Sequence, residues 1–168
     1  MADRHQALTP SLAGSYLEAA IVSLDRHHTS PKEFTLENDR VESRAKVVWD
    51  SADKRVRAAW ANNDDATRDG AYAFALAATE LLRGLFAIQR AETLTGADYY
   101  IAPLGQNIED LENWIRLEVS GTNLDKNKVR YRLQAKVEQA RQGNSNLPAI
   151  AVVVGFKAQL ILIETVIE

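Results

Sequence analysis

The run Ala149–Phe156, AIAVVVGF, carries no polar side chain and is dominated by β-branched residues. A run that short and that apolar reads as a strand covered on both faces, because a strand with one solvated face alternates. The segment Val129–Gln142 before it repeats Val129, Leu133, Val137 and Ala140 at helical spacing, the buried stripe of an amphipathic helix. Earlier still, Trp114–Ser120 (WIRLEVS) alternates strictly, with Ile115, Leu117 and Val119 to one side and Arg116, Glu118 and Ser120 to the other. Strand, helix and strand in that order make a βαβ crossover, so part of the sheet is expected to be parallel.

The rest of the chain fills in around this unit. Thr9 and Pro10 are a cap and first residue for a helix over Pro10–Asp25, whose Leu12, Tyr16, Ala19, Ala20 and Leu24 recur at helical spacing. Lys32–Glu37 (KEFTLE) suits a short strand at a sheet edge. The highly charged stretch Asn38–Ala61 has Val41, Ala45, Val48, Trp49, Val56 and Trp60 as apolar points, which fit one or two surface helices interrupted near Asp50–Asp53. Asn62–Thr67 is a polar break rich in cap residues. Ala66–Arg90 is apolar nearly all round from Tyr72 to Ile88, the pattern of a central buried helix, with Gly84 allowing a close approach and Glu80 and Arg83 spaced to pair. Ala97–Pro103 (ADYYIAP) suits a strand. Gly105–Asp110 suits a loop running into a helical turn through Ile108–Asn113, and Gly121–Asn127 a turn. Gly143–Asn146 stops the last helix, and Ala158–Val166 suits a final strand. The expected fold is thus α/β (α+β), a mixed sheet of about four to six strands flanked by helices. A single domain over 1–168 is expected, with a helical region over 1–65 and the core over 66–168.

Composition narrows the function classes. The chain has 168 residues, 46% of them hydrophobic and 26% charged, which is ordinary for a globular domain. Its formal net charge is −3, so any nucleic-acid contact must come from a local basic patch. The absence of cysteine excludes disulfides, thiolate metal sites and cysteine nucleophiles, and fits a cytoplasmic location. No apolar run approaches the roughly 20 residues of a membrane-spanning helix, and MADRHQALTPS lacks the apolar core of a signal peptide, so no membrane contact is expected. The glycine-rich phosphate and dinucleotide loops and the G-x-S-x-G elbow are absent.

Chemistry concentrates between Gly96 and Ala140. Two neighbouring strand patterns each carry one carboxylate, Asp98 and Glu118, and the helix after them is loaded with amide and basic groups. Hard divalent cations take oxygen ligands, and two carboxylates with substrate phosphate and water are a common minimum.

A buried helix, a strand with Asp, a strand with Glu-x-Ser, a helix and a further strand resemble the PD-(D/E)XK nuclease superfamily over roughly Thr67–Phe156. The resemblance implies a restriction-endonuclease-like core and Mg²⁺-dependent cleavage of DNA or RNA phosphodiesters. It also implies that Asp98 and Glu118 are catalytic metal ligands, and that Glu80 matches the acidic residue of the first core helix. Ser120 stands where that family carries its lysine, so the positive charge beside the attacking water is missing from the strand. Some members move it to the following helix, which here offers Lys136, with Gln134 and Gln139 nearby. Ser120, Arg130 and Gln134 are then the expected substrate contacts. The segments GADYY, RLEVSG and LPAIAVVVGF also resemble a family of small bacterial proteins, a likeness that implies no activity.

Each residue has a structural reading beside the chemical one. Asp98 fits a strand end, Glu118 a pair with Arg116 or Arg130, and Glu80 a pair with Arg83. The face Arg130, Gln134, Glu138, Arg141 fits a solvated surface. The alternative function is a non-catalytic interaction module on a degenerate nuclease scaffold, an antitoxin- or immunity-like subunit. It would bind a protein partner or form a homodimer through an exposed edge, for which the carboxyl-terminal strand is the candidate.

Overall fold

The structure is a computed structural model and describes residues 1–92, 95–105, 113–142 and 145–166. Helix α1 spans Pro10–Asp25, with Thr9 Oγ1 accepting from Leu12 N. Strands β1 (Lys32–Asn38) and β2 (Val41–Val47) follow, then a short helix α2 (Lys54–Ala59) and the long α3 (Asn63–Arg83). Strands β3 (Leu85–Arg90), β4 (Tyr99–Pro103) and β5 (Ile115–Thr122) lead into α4 (Lys126–Arg141), and β6 (Ala149–Gly155) and β7 (Leu160–Val166) complete the chain. The seven strands among the described residues join one mixed sheet in the order β2-β1-β7-β6-β5-β4-β3. That is one strand more than the expected upper count.

The crossover forms as the sequence pattern requires. β5 and β6 are parallel, from Arg116↔Ala149 to Thr122↔Gly155, and α4 joins them. Every residue of β6 is buried, since its two faces serve two cores. Ile150, Val152 and Val154 pack with α1 and α3 on one side. Ala149, Ala151 and Val153 pack with Val129, Leu133, Val137 and Ala140 of α4 on the other.

Two expectations about which element forms fail for identifiable reasons. Val41–Val47 is a strand rather than a surface helix, so the first 65 residues are not helical throughout; they supply two strands of the common sheet. Val41, Ala45 and Val48 recur at helical spacing, yet VESRAKV also alternates, and periodicity alone does not choose. The two-residue turn Asp39-Arg40 decides it, with both residues at positive φ (46° and 70°), the requirement of a tight hairpin. Asp39 is held there by Thr165, whose N and Oγ1 donate to its carboxylate at 2.7 and 2.9 Å, and by Arg83 at 2.9 Å.

The second failure concerns the long apolar segment. It is a helix only to Arg83; Gly84 ends it in the left-handed conformation (φ 63°), and Leu85–Arg90 turns back as β3. Glu80 and Arg83 do not pair: Arg83 is taken by Asn38, Asp39 and Thr165. The carboxyl-terminal strand is central, between β1 and β6, and the sheet edges are β2 and β3. β1, expected at an edge, is also internal. The helical turn expected over Ile108–Asn113 lies outside the described residues apart from Asn113, and so do Gly143 and Asn144 of the expected helix stop.

Candidate functional site

The site exists because β5 outruns β4. Their antiparallel pairing covers only Ile101↔Ile115 to Tyr99↔Leu117, so among the described residues β5 has no strand partner on that side from Val119 onward. The first half of α3 passes close to this bare edge. A Cβ on Gly121 would sit 2.2 Å from the Thr67 carbonyl oxygen, so only glycine lets helix and strand approach this closely. A groove of about 700 Å³ remains between α3 and α4 along β5, lined among others by Tyr72, Asp98, Ser120, Arg132 and Lys136.

Asp98 closes one end. Its backbone N–H donates to Leu117 O at 2.8 Å, which carries the β4–β5 ladder one residue beyond the strand. Its carboxylate then replaces the missing next rung, with Val119 N donating to Oδ2 at 2.7 Å and Tyr72 OH donating to Oδ1 at 2.7 Å. Burial first, and then the Asp98 charge, push the Tyr72 hydroxyl well above its ordinary range, so it stays a donor at neutral pH. Tyr72 also stacks on Tyr16 and meets Tyr99 edge-on, while the Arg90 guanidinium lies over the Tyr72 and Tyr99 rings. Arg90 donates to the hydroxyls of Tyr16 and Tyr99. The tyrosine that positions Asp98 is thus itself clamped.

Glu118 lies on the face of β5 that α4 covers, next to the edge where the Asp98 carboxylate sits. Its face, expected to be polar, is buried: Arg116, Glu118 and Ser120 are 3, 4 and 8% exposed. Each therefore needs a partner, and α4 supplies them. Arg116 donates to Ala140 O at 2.9 Å and to Leu147 O at 3.0 Å, which caps the last turn of α4, so it acts on Glu118 only through its nearby charge. Ser120 Oγ accepts from Arg132 Nε at 2.7 Å. Lys136 reaches in from the edge of the α4 apolar stripe and donates to Glu118 Oε1 at 2.6 Å and to Gln139 Oε1 at 2.9 Å. Burial pulls the Glu118 carboxyl above its ordinary range; the Lys136 bond opposes this, and the neighbouring Asp98 charge adds to it.

Of the residues singled out in the sequence, Asp98, Glu118, Ser120 and Lys136 are brought together and Glu80, Arg130 and Gln134 are not. Glu80 binds Arg4 Nε at 2.6 Å and His5 Nε2 at 3.1 Å, two helical turns beyond Tyr72. Arg130 makes a two-pronged pair with Glu37 at 2.9 and 2.8 Å, across β1. Gln134 is exposed on the outer face of α4. That face is the solvated one, and the working face is Arg132 and Lys136, four residues apart. Sequence reasoning missed Arg132 and Tyr72. The spacing of Arg132 to Lys136 could have found the first. Nothing local marks Tyr72, because the rest of α3 and the whole of β3 lie between it and Asp98 in the chain.

Arg132 has no carboxylate partner among the described residues, whereas Arg68 on the opposite wall is paired with Asp65 and Asp69. The groove thus offers one cation with no carboxylate partner among the described residues, Arg132, beside the Lys136–Glu118 pair, and several hydroxyl and amide donors to an anionic ligand. For a metal, the donors at hand are Asp98 and Glu118, both hard oxygens suited to Mg²⁺ or Mn²⁺ and not to soft-ligand metals. No group of three or more His, Cys, Asp or Glu side chains that could hold an ion occurs among the described residues, so further ligands would have to be water or substrate. No helix among the described residues is long and apolar enough to cross a membrane. No protein-family model matches the chain, and no curated protein or solved structure matches it.

Proposed function

We propose that the groove beside β5 binds a nucleic-acid phosphodiester and that the chain is a nuclease-like domain dependent on a hard divalent cation. The observation that carries this reading is the Lys136–Glu118 contact at 2.6 Å, made from α4 to the strand next to Asp98. A positive charge absent from the strand at Ser120 is thereby returned to the carboxylate pair from the following helix. The element order supports the reading: α3 precedes the two strands that adjoin or carry Asp98 and Glu118, and α4 and the parallel strand β6 follow them.

In this reading Asp98 and Glu118 would hold Mg²⁺. When bound, the ion supplies polarisation of the phosphate and a lowered pKa for water. The chain's own residues do the rest. Arg132, tethered to Ser120 Oγ and with no carboxylate partner among the described residues, receives a phosphate oxygen as a charge-assisted donor. Tyr72 and the Val119 N–H hold the Asp98 carboxylate in one orientation, and Lys136 offsets the charge that burial makes costly on Glu118.

Titration calorimetry with Mg²⁺ and Mn²⁺, paired with cleavage assays on labelled single- and double-stranded DNA and RNA, tests this. The wild type is expected to bind metal and cleave, and Glu118→Gln to lose both. No heat and no cleavage of any of the four substrates would end the nuclease reading. A second reading has one specific observation behind it. Lys136 already neutralises Glu118 in a pair that is 21% and 5% exposed, which is how a structural pair on a non-catalytic interaction module would look. Its signature is nucleic-acid or protein binding indifferent to metal and to Glu118→Gln.

A further inference from the structure

The two edges of the sheet are treated differently. β3 is covered: Ala7 N donates to Ala87 O at 3.1 Å, Ala87 N donates to His5 Nδ1 at 3.0 Å, and a register shift between Ala87 and Gln89 bends the strand. These are the usual devices against edge-to-edge pairing. β2 has neither device among the described residues. It runs seven residues in unbroken register against β1.

Which backbone groups β2 leaves open follows from the hairpin. Thr35 N on β1 donates toward β7, to Gln159 O, so Phe34, Leu36 and Asn38 face β2 and bond Ala45, Ser43 and Val41. The N–H and C=O groups of Glu42, Arg44 and Lys46 therefore point outward. Phe34 is buried in the α1/α3 core, so its partner Ala45, with Val41 and Val47, lies on the helix-side face. Glu42, Arg44 and Lys46 lie on the other face and are exposed.

We infer that the β2 edge is the docking surface for a second copy of this chain, paired antiparallel strand to strand. The charge order is self-complementary. Antiparallel registers must match the outward-facing residues. With the two-fold axis at Ser43, Glu42 of each copy faces Arg44 of the other; with it at Arg44, Glu42 faces Lys46 but Arg44 faces Arg44, so the Ser43 register is the favoured one. Cross-strand pairs of opposite charge stabilise a sheet, and like charges directly opposite oppose it.

A second observation lies beside the edge. Between the β1–β2 hairpin and helices α1 and α3 runs an apolar groove of about 460 Å³, lined by Leu17, Ile21, Trp49 and Phe74 among others. Leu17, Val48 and Leu81 at its rim are 47, 70 and 68% exposed. Antiparallel pairing of identical strands sets the two-fold axis normal to the sheet, so the helices of both copies fall on the same face. The two apolar grooves then flank a common seam. Strand pairing alone buries less than the roughly 1,200 Å² of a stable interface, and the leucine and valine rims supply the remainder.

This dimer does not depend on what the Asp98 groove binds. Sedimentation equilibrium from micromolar to millimolar protein tests it with two charge variants, Glu42→Lys and the double variant Arg44→Glu/Lys46→Glu. Every changed position is exposed, and circular dichroism confirms folding. The wild type is expected to reach twice 18.7 kDa. Each variant alone is expected to weaken self-association at least tenfold. An equimolar mixture, in which lysine or arginine faces glutamate in either register, is expected to recover it as a mixed dimer. A wild type that stays monomeric at millimolar concentration overturns the inference. So does a dimer that both variants leave unchanged.

Discussion

Replacing Lys136 by methionine keeps the stem that lies along the edge of α4 and removes only the charge. Glu118, 4% exposed and within reach of the Asp98 charge, is left as an uncompensated buried carboxylate. Breaking a fully buried pair by deleting one partner costs about 3–5 kcal/mol. The Lys136 side chain is 21% exposed, so water reaches the vacated position and the expected loss is nearer ~2 kcal/mol at pH 8. In a chain of this size that is a fall of roughly 4–8 °C in Tm. The pH dependence follows from the direction of the Glu118 shift. Its carboxyl is held above the unfolded value by burial, and removing Lys136 raises it further. An acid raised in the folded state favours folding fully below its unfolded pKa, about 4.3, and that contribution is lost as pH rises through the folded value. The Lys136→Met penalty should therefore be small near pH 4.5, grow toward pH 8, and vanish in the Glu118→Gln/Lys136→Met double variant. Urea denaturation of the wild type, Lys136→Met, Glu118→Gln and the double variant at both pH values measures it. An equal penalty at the two pH values, or one that survives in the double variant, would mean that the Lys136 charge does not act through Glu118.

Two further outcomes follow from local geometry. Gly121→Ala adds a methyl group 2.2 Å from the Thr67 carbonyl oxygen and 2.9 Å from Ala71 Cβ, so α3 must move away from β5; a loss of about 1–3 kcal/mol is expected in urea denaturation, and an unchanged midpoint would refute the close contact. Acid should loosen the cover over β3. Burial lowers the His5 pKa, and a base lowered in the fold contributes stability above its unfolded pKa of about 6.5 that is lost as pH falls through the folded value. Burial raises Glu80, but the Arg4 and His5 bonds outweigh it and hold the carboxyl low, so its contribution is also lost on acidification. Protonation at His5 Nδ1 removes the acceptor for Ala87 N–H, and the hydrogen-exchange protection of that amide should drop below pH 6. Protection that is constant from pH 7 to 5 would contradict this.

Legibility in the sequence tracked how local each determinant is. Helix α1, the stripe Val129–Leu133–Val137–Ala140 and the buried run of β6 follow from periodicity over a dozen residues or fewer, and they form where periodicity puts them. The Asn38–Ala61 region misleads because its apolar points satisfy two periods at once. The choice there is made by Asp39, whose partners Thr165 and Arg83 are distant in the chain. For the site, the pattern supplied two carboxylates on adjacent strands and a basic helix after them. It could not say that Tyr72 holds Asp98, that Glu80 turns to Arg4 and His5, or that Arg130 is taken by Glu37.

By itself the amino-acid order determined a mixed sheet with a parallel crossover, and a concentration of carboxylate and basic groups around β5. Both rest on backbone periodicity and on the burial of apolar side chains, which act between near neighbours. Only the tertiary structure decided which charges meet. A charged side chain on an alternating strand or a helix can be solvated or paired at little difference in local energy. Once α4 packs over β5, Glu118 loses its water and Lys136 becomes the group that compensates it.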